Sequence, residues 1–524
     1  MNHLNTGVSA ITIAARLCIA TLAAGVMASA VAAPATSRVI VGYKDGTAAK
    51  VKSAVGNAKG TIKHEITDTN AMAVEMPTAA LAGLAHNPNV EYVEADVKRY
   101  PLALTSASGA PYLAGQLVPY GIKMVQADQL PDTYAGNRMV CIIDSGYSLA
   151  HEDLAANAVT GEYDKEKQGT GWWYNDDNHH GTHVAGTIAA INNSGTGVVG
   201  VMPNKKIKLH IVKVFDAAGW AYSSTLASAA RLCGKAGANV ISMSLGGGEP
   251  SRAEQQAFDN LQAKGVLSVA AAGNDGNSDI SYPAGYSSVM MVGAVDVNRE
   301  WASFSQFNSK VEISAPGVDV LSTVPMNSGS AAALTVAGTA FTATPMTGSP
   351  QKTAIAALAD FGTGEAVNSA MAGKVCLIKR GNISFGQKVA NCETSGGVGA
   401  IVYNNIAEMV YGTLGDTVTS IPSLGVSGDD GAVLMGKLGQ SATVAITGVS
   451  YEYYNGTSMA TPHVSAVAAL VWSYFPSCTG EQIRVSLRNS AVDLGAPGRD
   501  DKYGYGLVQA KAAHARIATM GCGK

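Results

Sequence analysis

Between residues 116 and 324 short apolar runs recur, and helical stretches separate most of them. Residues 139–144, 240–243, 266–271 and 289–295 are near-continuous runs of Val, Ile, Leu, Met and Ala, and 207–214 is a Val/Ile/Leu-rich run broken by Lys208, His210 and Lys213. Runs without alternation suit strands buried on both faces, the pattern of a parallel sheet covered by helices. This predicts an α/β fold. Residues 38–100 follow a different rhythm. A strand at 38–43 leads to a helix at 47–57, and two strands flank Thr67-Asp-Thr-Asn70 within 61–76. A second helix at 78–85 and a last strand at 90–97 complete a βαββαβ order, a small ferredoxin-like α+β unit.

Near Met326 the character changes again. Residues 330–447 are rich in Thr, Gly, Ala and Ser, with short strands around 374–378 and 399–403 and one clear helix at 386–394. The α/β pattern then resumes at Tyr451. A β-rich domain inserted into a loop explains this, because exposed loops tolerate insertion and the flanking pieces together make one large domain. The predicted organisation is a signal peptide (1–33), an α+β unit (34–100) and a loose Ser/Ala/Gly/Pro linker and processing region (101–115). An α/β domain follows in two parts (116–329 and 448–524) around the insert (330–447).

The signal reading rests on Arg16, an apolar stretch from about 17 to 27, and small residues ending Ala30-Val-Ala-Ala33. The stretch is short for a membrane span and ends in a small-x-small cleavage pattern. A secreted protein is expected, with no membrane attachment after processing. Net charge is −3 and charged residues are 14 %, which leaves no electrostatic footprint for nucleic acid. Seven cysteines occur, and Cys18 leaves with the signal. The remaining six allow fifteen connectivities in an oxidising compartment. The pairing proposed is Cys376 with Cys392, Cys478 with Cys522, and Cys141 with Cys233. A metal site is the rival reading, but the chain has neither a Cys-x-x-Cys nor a His-Glu-x-x-His.

Four fragments carry chemistry. Cys141-Ile-Ile-Asp144-Ser-Gly146 ends a buried strand with a carboxylate, where open parallel sheets place functional groups. His180-Gly-Thr-His183-Val-Ala-Gly186 opens a buried helix with a histidine on its first turn. Ala270-Ala-Ala-Gly273-Asn274-Asp-Gly276 brings an amide to another strand end. Asn455-Gly-Thr-Ser458-Met-Ala-Thr-Pro-His463 sets a serine at the start of an apolar helix, at the positive end of its dipole. Each alone has a bland reading as a cap, a turn or a satisfied polar end. Together they suit an Asp that orients a His, a His that takes the Ser proton, and an Asn that donates to an oxyanion. His179, His183 and His463 are read as structural, since one base suffices.

In this order the fragments resemble the subtilisin family of serine proteases; Asp, His, Ser is the order known for subtilisin. The resemblance covers about residues 116–325 and 450–515. It implies a subtilisin-like α/β fold, with Asp144, His180 and Ser458 as triad and Asn274 as oxyanion donor. It implies that Ser244, Leu245 and Gly246 pair with extended substrate, that Ala271 and Gly273 wall the first specificity pocket, and that Ser281 lies on its floor. The preference expected is broad, with an apolar residue before the scissile bond. Gln116, Asp153 and Asn193 side chains, with carbonyls of Ile191, Thr196 and Val198, resemble the family's strong calcium site, and oxygen ligands suit a hard cation. The loop is one residue longer than in the simplest relatives. Structural Ca2+ is thus expected, and no redox or organic cofactor.

Residues 38–100 resemble the family's propeptide, an inhibitor and folding aid. Lys374-Val-Cys-Leu-Ile-Lys-Arg-Gly381 and Gly397-Val-Gly-Ala-Ile-Val-Tyr403 resemble a protease-associated domain, with gating, partner binding or a plain spacer as its role. The reading is a secreted serine endopeptidase made as a zymogen, a monomer whose partners are protein or peptide substrates and its own propeptide. The rivals are a non-catalytic binding protein on the same scaffold, and an esterase or ligase using the same triad.

Overall fold

The computed structural model describes residues 35–102, 115–163, 170–193 and 195–524. The signal-peptide expectation and most of the linker lie outside these residues. At the centre is a seven-stranded sheet whose registered neighbours are all parallel. Its order is Val311–Pro316, Val289–Val295, Leu267–Ala271, Val240–Met243, Met139–Asp144, Lys208–Lys213 and Ala158–Tyr163. The first and last of these strands were not read from sequence.

Both faces are covered. Helices His180–Ala189 and Thr457–Tyr474 pack one face in a cluster that includes Val184, Ile188, Val464 and Leu470. Helices Ser223–Ala236 and Arg252–Ala263 pack the other through Leu226, Phe258 and Leu261. The helix at 457–474 is buried from Thr457 to Ser473. It can be so because its sequence is apolar or small on every side, the signature of a helix inside a core. Pro462 falls in its first turns, where a missing N–H removes little.

The N-terminal unit is a four-stranded antiparallel sheet, ordered Thr61–Ile66, Ala71–Pro77, Thr36–Tyr43 and Val90–Ala95, with a helix at Ala48–Asn57. The second predicted helix is a 3-10 turn at Thr78–Ala80 running into Leu81–Ala85. One more strand, Lys98–Pro101, leaves this unit and enters the α/β domain. The linker was expected to start at residue 101, but Pro101 is still strand and Leu102 still bonded.

The insert is entered and left through adjacent strands. Val320–Thr323 pairs antiparallel with Tyr451–Tyr454, and Gly329–Val336 pairs with Ser441–Val449. The second pair belongs to an eight-stranded mixed sheet, which carries helices Phe385–Thr394 and Gly428–Met435. Disulfides join Cys141–Cys233, Cys376–Cys392 and Cys478–Cys522, the three pairs proposed from sequence.

Candidate active site

Asp144 is the last residue of a central strand and His180 the first of a helix that crosses its end. Asp144 Oδ1 lies 2.7 Å from His180 Nδ1 and also accepts the Ser145 N–H at 2.7 Å. A carboxylate there selects the tautomer protonated on Nδ1 and leaves the Nε2 lone pair free. His180 Nε2 has no hydrogen-bond partner among the described residues. The helix start is fixed from below by Asp176. Its Oδ1 accepts Ser145 Oγ and the His179 N–H, and its Oδ2 accepts the Thr182 N–H and hydroxyl. An acidic cap at a helix N-terminus is favourable both as acceptor and as charge.

Ser458 is fully buried in the first turn of the central helix. Its Oγ donates to Ser244 O at 2.8 Å, and Ser244 Oγ donates back to Ser458 O at 2.8 Å. The hydroxyl is therefore turned towards Ser244, away from a bond with His180. The Ser458 N–H donates to the carbonyl oxygen of Leu102 at 3.2 Å. The Asn274 amide donates to that same oxygen at 2.6 Å. Thr457 aims this amide, because its N–H (2.9 Å) and hydroxyl (2.8 Å) both donate to Asn274 Oδ1. Two N–H groups thus converge on one peptide carbonyl, the arrangement that stabilises an oxyanion.

The chain that delivers Leu102 is held as a β-strand on both sides. The Leu102 N–H donates to Ser244 O at 3.1 Å. Pro101 and Tyr100 face Leu245 and Gly246, while Lys98 and Arg99 face Tyr222 and Ala221 on the other edge. A Cβ on Gly246 would stand 2.3 Å from Ser281 Oγ and 2.9 Å from Leu102 Cδ1, so only glycine leaves room for both. Ser281 and the Leu102 side chain therefore share one recess. Gly273, at φ +116°, puts its N–H 3.2 Å from Thr457 Oγ1, and a Cβ there would overlap Gln306. Ala271 is buried at its strand end.

Two carboxylates of the N-terminal unit cap helices of the α/β domain. Glu94 accepts Ser251 Oγ and the Arg252 and Ala253 N–H groups at the start of helix Arg252–Ala263. Asp96 accepts the Ser224 N–H (3.0 Å) and hydroxyl (2.6 Å) at the start of helix Ser223–Ala236. Each meets the positive end of a helix dipole.

His183 lies 3.0 Å from Val320 O and 3.1 Å from Glu452 O through Nε2, and stacks on Tyr454 with ring centroids 4.3 Å apart. Burial pushes it down to about 3 and His463 down to about 4, so both are neutral, and His183 is a cross-link between two strands. His463 binds Met459 O within its own helix, and His179 precedes the helix that His180 opens.

The residues expected at a cation site form one cluster. The Gln116 amide nitrogen lies 2.9 Å from Ile191 O, 3.3 Å from Asn193 Oδ1 and 3.5 Å from Val198 O. Asn193 Nδ2 donates to Asp153 Oδ1, and the Val198 N–H to Asp153 Oδ2. The Thr196 N–H binds Asn193 Oδ1. Three oxygens turned onto one polarised nitrogen, beside a buried carboxylate, fit a hard cation. Burial pushes the Asp153 carboxyl up to about 6.

Sequence reasoning missed Thr457, Asp176, Glu94, Asp96 and Leu102. Thr457 and Asp176 sit inside or beside fragments that were quoted, but their role is to aim a neighbour, which only geometry reveals. The Subtilase family model matches residues 136–359 and 410–506, the PA domain model 336–434, and the Fervidolysin N-terminal prodomain model 24–96. The chain is 45 % identical to Subtilisin DY of Bacillus licheniformis over 40 % of its length and 77 % of that protein. It is 35 % identical to the Alkaline protease of Alkalihalobacillus alcalophilus over 86 % of its length and 80 % of that protein. Among solved structures, the psychrophilic subtilisin-like protease Apa1 of the Antarctic psychrotroph Pseudoalteromonas sp. AS-11 is 45 % identical. That match covers 77 % of this chain and 99 % of the other, with a TM-score of 0.56. Fervidolysin of Fervidobacterium pennivorans, at 23 % identity and TM-score 0.60 over 92 % of this chain and 61 % of that one, shares the fold. The chain belongs to the subtilase family and is a subtilisin-type serine endopeptidase with an N-terminal prodomain and an inserted PA domain.

Proposed function

We propose that this protein is a secreted serine endopeptidase made as a zymogen, with Asp144, His180 and Ser458 as its triad and Asn274 as oxyanion donor. The observation that carries the reading is the Leu102 carbonyl, held by the Ser458 N–H and the Asn274 amide. It lies where a substrate carbonyl must lie, and the chain supplying it is the prodomain's own tail.

After a χ1 rotation of Ser458 away from Ser244, its oxygen attacks the held carbonyl carbon and its proton passes to His180 Nε2. Asp144 stabilises the imidazolium. The two N–H donors take the charge that develops on oxygen. Breaking the C–N bond sends the histidine's proton to the leaving amine. Water then attacks the ester with His180 as base and regenerates Ser458. The recess shared by Ser281 and Leu102 supports an apolar residue before the scissile bond.

The oxygen cluster of Gln116, Asp153, Asn193, Ile191 and Val198 is proposed to hold structural Ca2+, which would tie the start of the α/β domain to the loop at 191–198. Three disulfides support an oxidising destination, and among the described residues no helix is long and apolar enough to cross a membrane.

The test is hydrolysis of unfolded protein combined with a serine-directed fluorophosphonate. The wild type is expected to cleave and to take the label at Ser458. Ser458→Ala should lower turnover by about a million-fold, the magnitude known for subtilisin rather than one calculated from this geometry. It should also leave the precursor uncut by intact mass. Undiminished proteolysis in that variant would sink the proposal.

A further inference from the structure

The register of the tail exposes a second specificity element, away from the reacting carbonyl. Arg99 is three residues upstream of Leu102, and its side chain is almost fully buried in the α/β domain. Its Nε donates to Glu254 Oε1 at 3.0 Å and its Nη2 to Glu254 Oε2 at 2.7 Å. Nη2 also donates to the Glu249 carbonyl at 2.8 Å. The guanidinium plane is thus met by a bidentate carboxylate and a backbone oxygen, a fork-to-fork geometry that a lysine ammonium cannot reproduce.

The receiving side is built in advance. Glu254 is fully buried, and the Tyr286 hydroxyl donates to its Oε2 at 2.7 Å. Tyr286 is fixed in turn by the Ser251 N–H at 2.8 Å. A carboxylate held in the protein without a cation is costly, and the cation that answers it here belongs to the substrate strand. Lys98, one residue further back, is exposed and rests over Trp220, so it meets no comparable pocket.

We infer that Glu254 makes this pocket an arginine subsite, so that the enzyme selects Arg-x-x-Leu before the cleaved bond. The first such substrate is its own Arg99-Tyr-Pro-Leu102, cut at Leu102–Ala103. This rests on the reading of Ser458 as nucleophile. In that cut the Ser458 Oγ–Leu102 C ester forms as the bond to the Ala103 nitrogen breaks. Water then releases Leu102 as a carboxylate, and Ala103 keeps a free amine.

The experiment compares kcat/KM of the mature enzyme on quenched peptides Xaa-Tyr-Pro-Leu-Ala, with Arg, Lys, Ala or norleucine at the first position. Arginine is expected to exceed each of the others by about tenfold or more, the scale of losing charged hydrogen bonds to a buried group. Glu254→Gln should collapse that ratio to within about threefold. The released prodomain should end at Leu102 by mass. An active enzyme with an arginine ratio below tenfold overturns the subsite, as does a prodomain ending elsewhere. The peptide series on wild-type enzyme decides even where Glu254→Gln does not fold. If no peptide and no unfolded protein is cleaved, it is the nucleophile reading that fails.

Discussion

The prodomain and the PA domain are attached to the same α/β domain in opposite ways. The insert is joined by backbone. Val320–Thr323 and Tyr451–Tyr454 form one ladder, the Val324 N–H to Ser450 O bond extends it, and a second ladder, Gly329–Val336 with Ser441–Val449, begins the insert's own sheet. The prodomain is joined by side chains and by its own end. Glu94 and Asp96 cap two helices, and the strand Lys98–Pro101 pairs between Leu245–Gly246 and Ala221–Tyr222. A domain joined by paired backbone strands at both its ends is held permanently. A contact made by caps and a cleavable tail can be dissolved by one cut, which suits an inhibitor that must leave.

If the insert is a separately folded unit tied by that ladder, its own bridge should act on it alone. Cys376–Cys392 closes a loop of 16 residues' separation between a strand and a helix of the insert. The chain-entropy model makes such a loop worth about 3 kcal/mol. The Cys376→Ser, Cys392→Ser double variant should lower the unfolding free energy of the PA domain by that amount and so bring its melting to lower temperature. Peptidase activity should persist to its former temperature. A single transition in which both fall together would show that the ladder couples the two domains, and the contrast with the prodomain would blur.

The next effect acts on the ladder itself. His183 Nε2 spans Val320 O and Glu452 O, the two strands that lead into and out of the insert. Burial holds its pKa at about 3, below the ordinary value near 6.5. The unfolded chain therefore takes a proton first as pH falls. The stabilisation is complete above about 6.5 and is lost progressively towards 3. Between pH 7 and pH 5 this histidine alone should account for about 2 kcal/mol of lost stability. His463, also lowered, adds in the same direction. Urea midpoints at the two pH values, with and without His183→Gln, measure its share. An unchanged pH slope in the variant would remove His183 from the junction's energetics.

The two attachments also differed in how far sequence revealed them. The fragments around Asp144, His180 and Ser458 were legible because each packs its polar group into a few consecutive residues at a strand end or helix start. The insert was legible because composition shifts at its borders. The prodomain's fold followed from its periodicity, but its grip did not. Glu94, Asp96, Arg99 and Leu102 look like ordinary charged or apolar residues of a strand end, and Glu254 like a surface carboxylate on an amphipathic helix. Their meaning lies in which distant helix or pocket each one meets, and no local pattern records that. The strand at 158–163 was missed for a related reason. It lies at the sheet edge and is too polar to stand out as an apolar run.

The smallest effect separates the two caps from each other. Glu94 is half-buried and bonds to the start of helix Arg252–Ala263, whereas Asp96 is buried and also pairs with Arg38 at 2.9 Å. Losing the charge of either should weaken the cleaved prodomain's hold by about 1 kcal/mol, or about fivefold in its rate of release. The two should part company in salt. A partly exposed carboxylate at a helix end is screened, and a buried one much less. Raising NaCl from about 0.05 to 0.5 M should therefore erase most of the difference between wild type and Glu94→Gln. The difference for Asp96→Asn should survive. Release is read as the lag before activity appears in the processed complex. If both variants respond to salt alike, the caps act as one diffuse charge patch, and the prodomain's grip is less specific than two aimed carboxylates would make it.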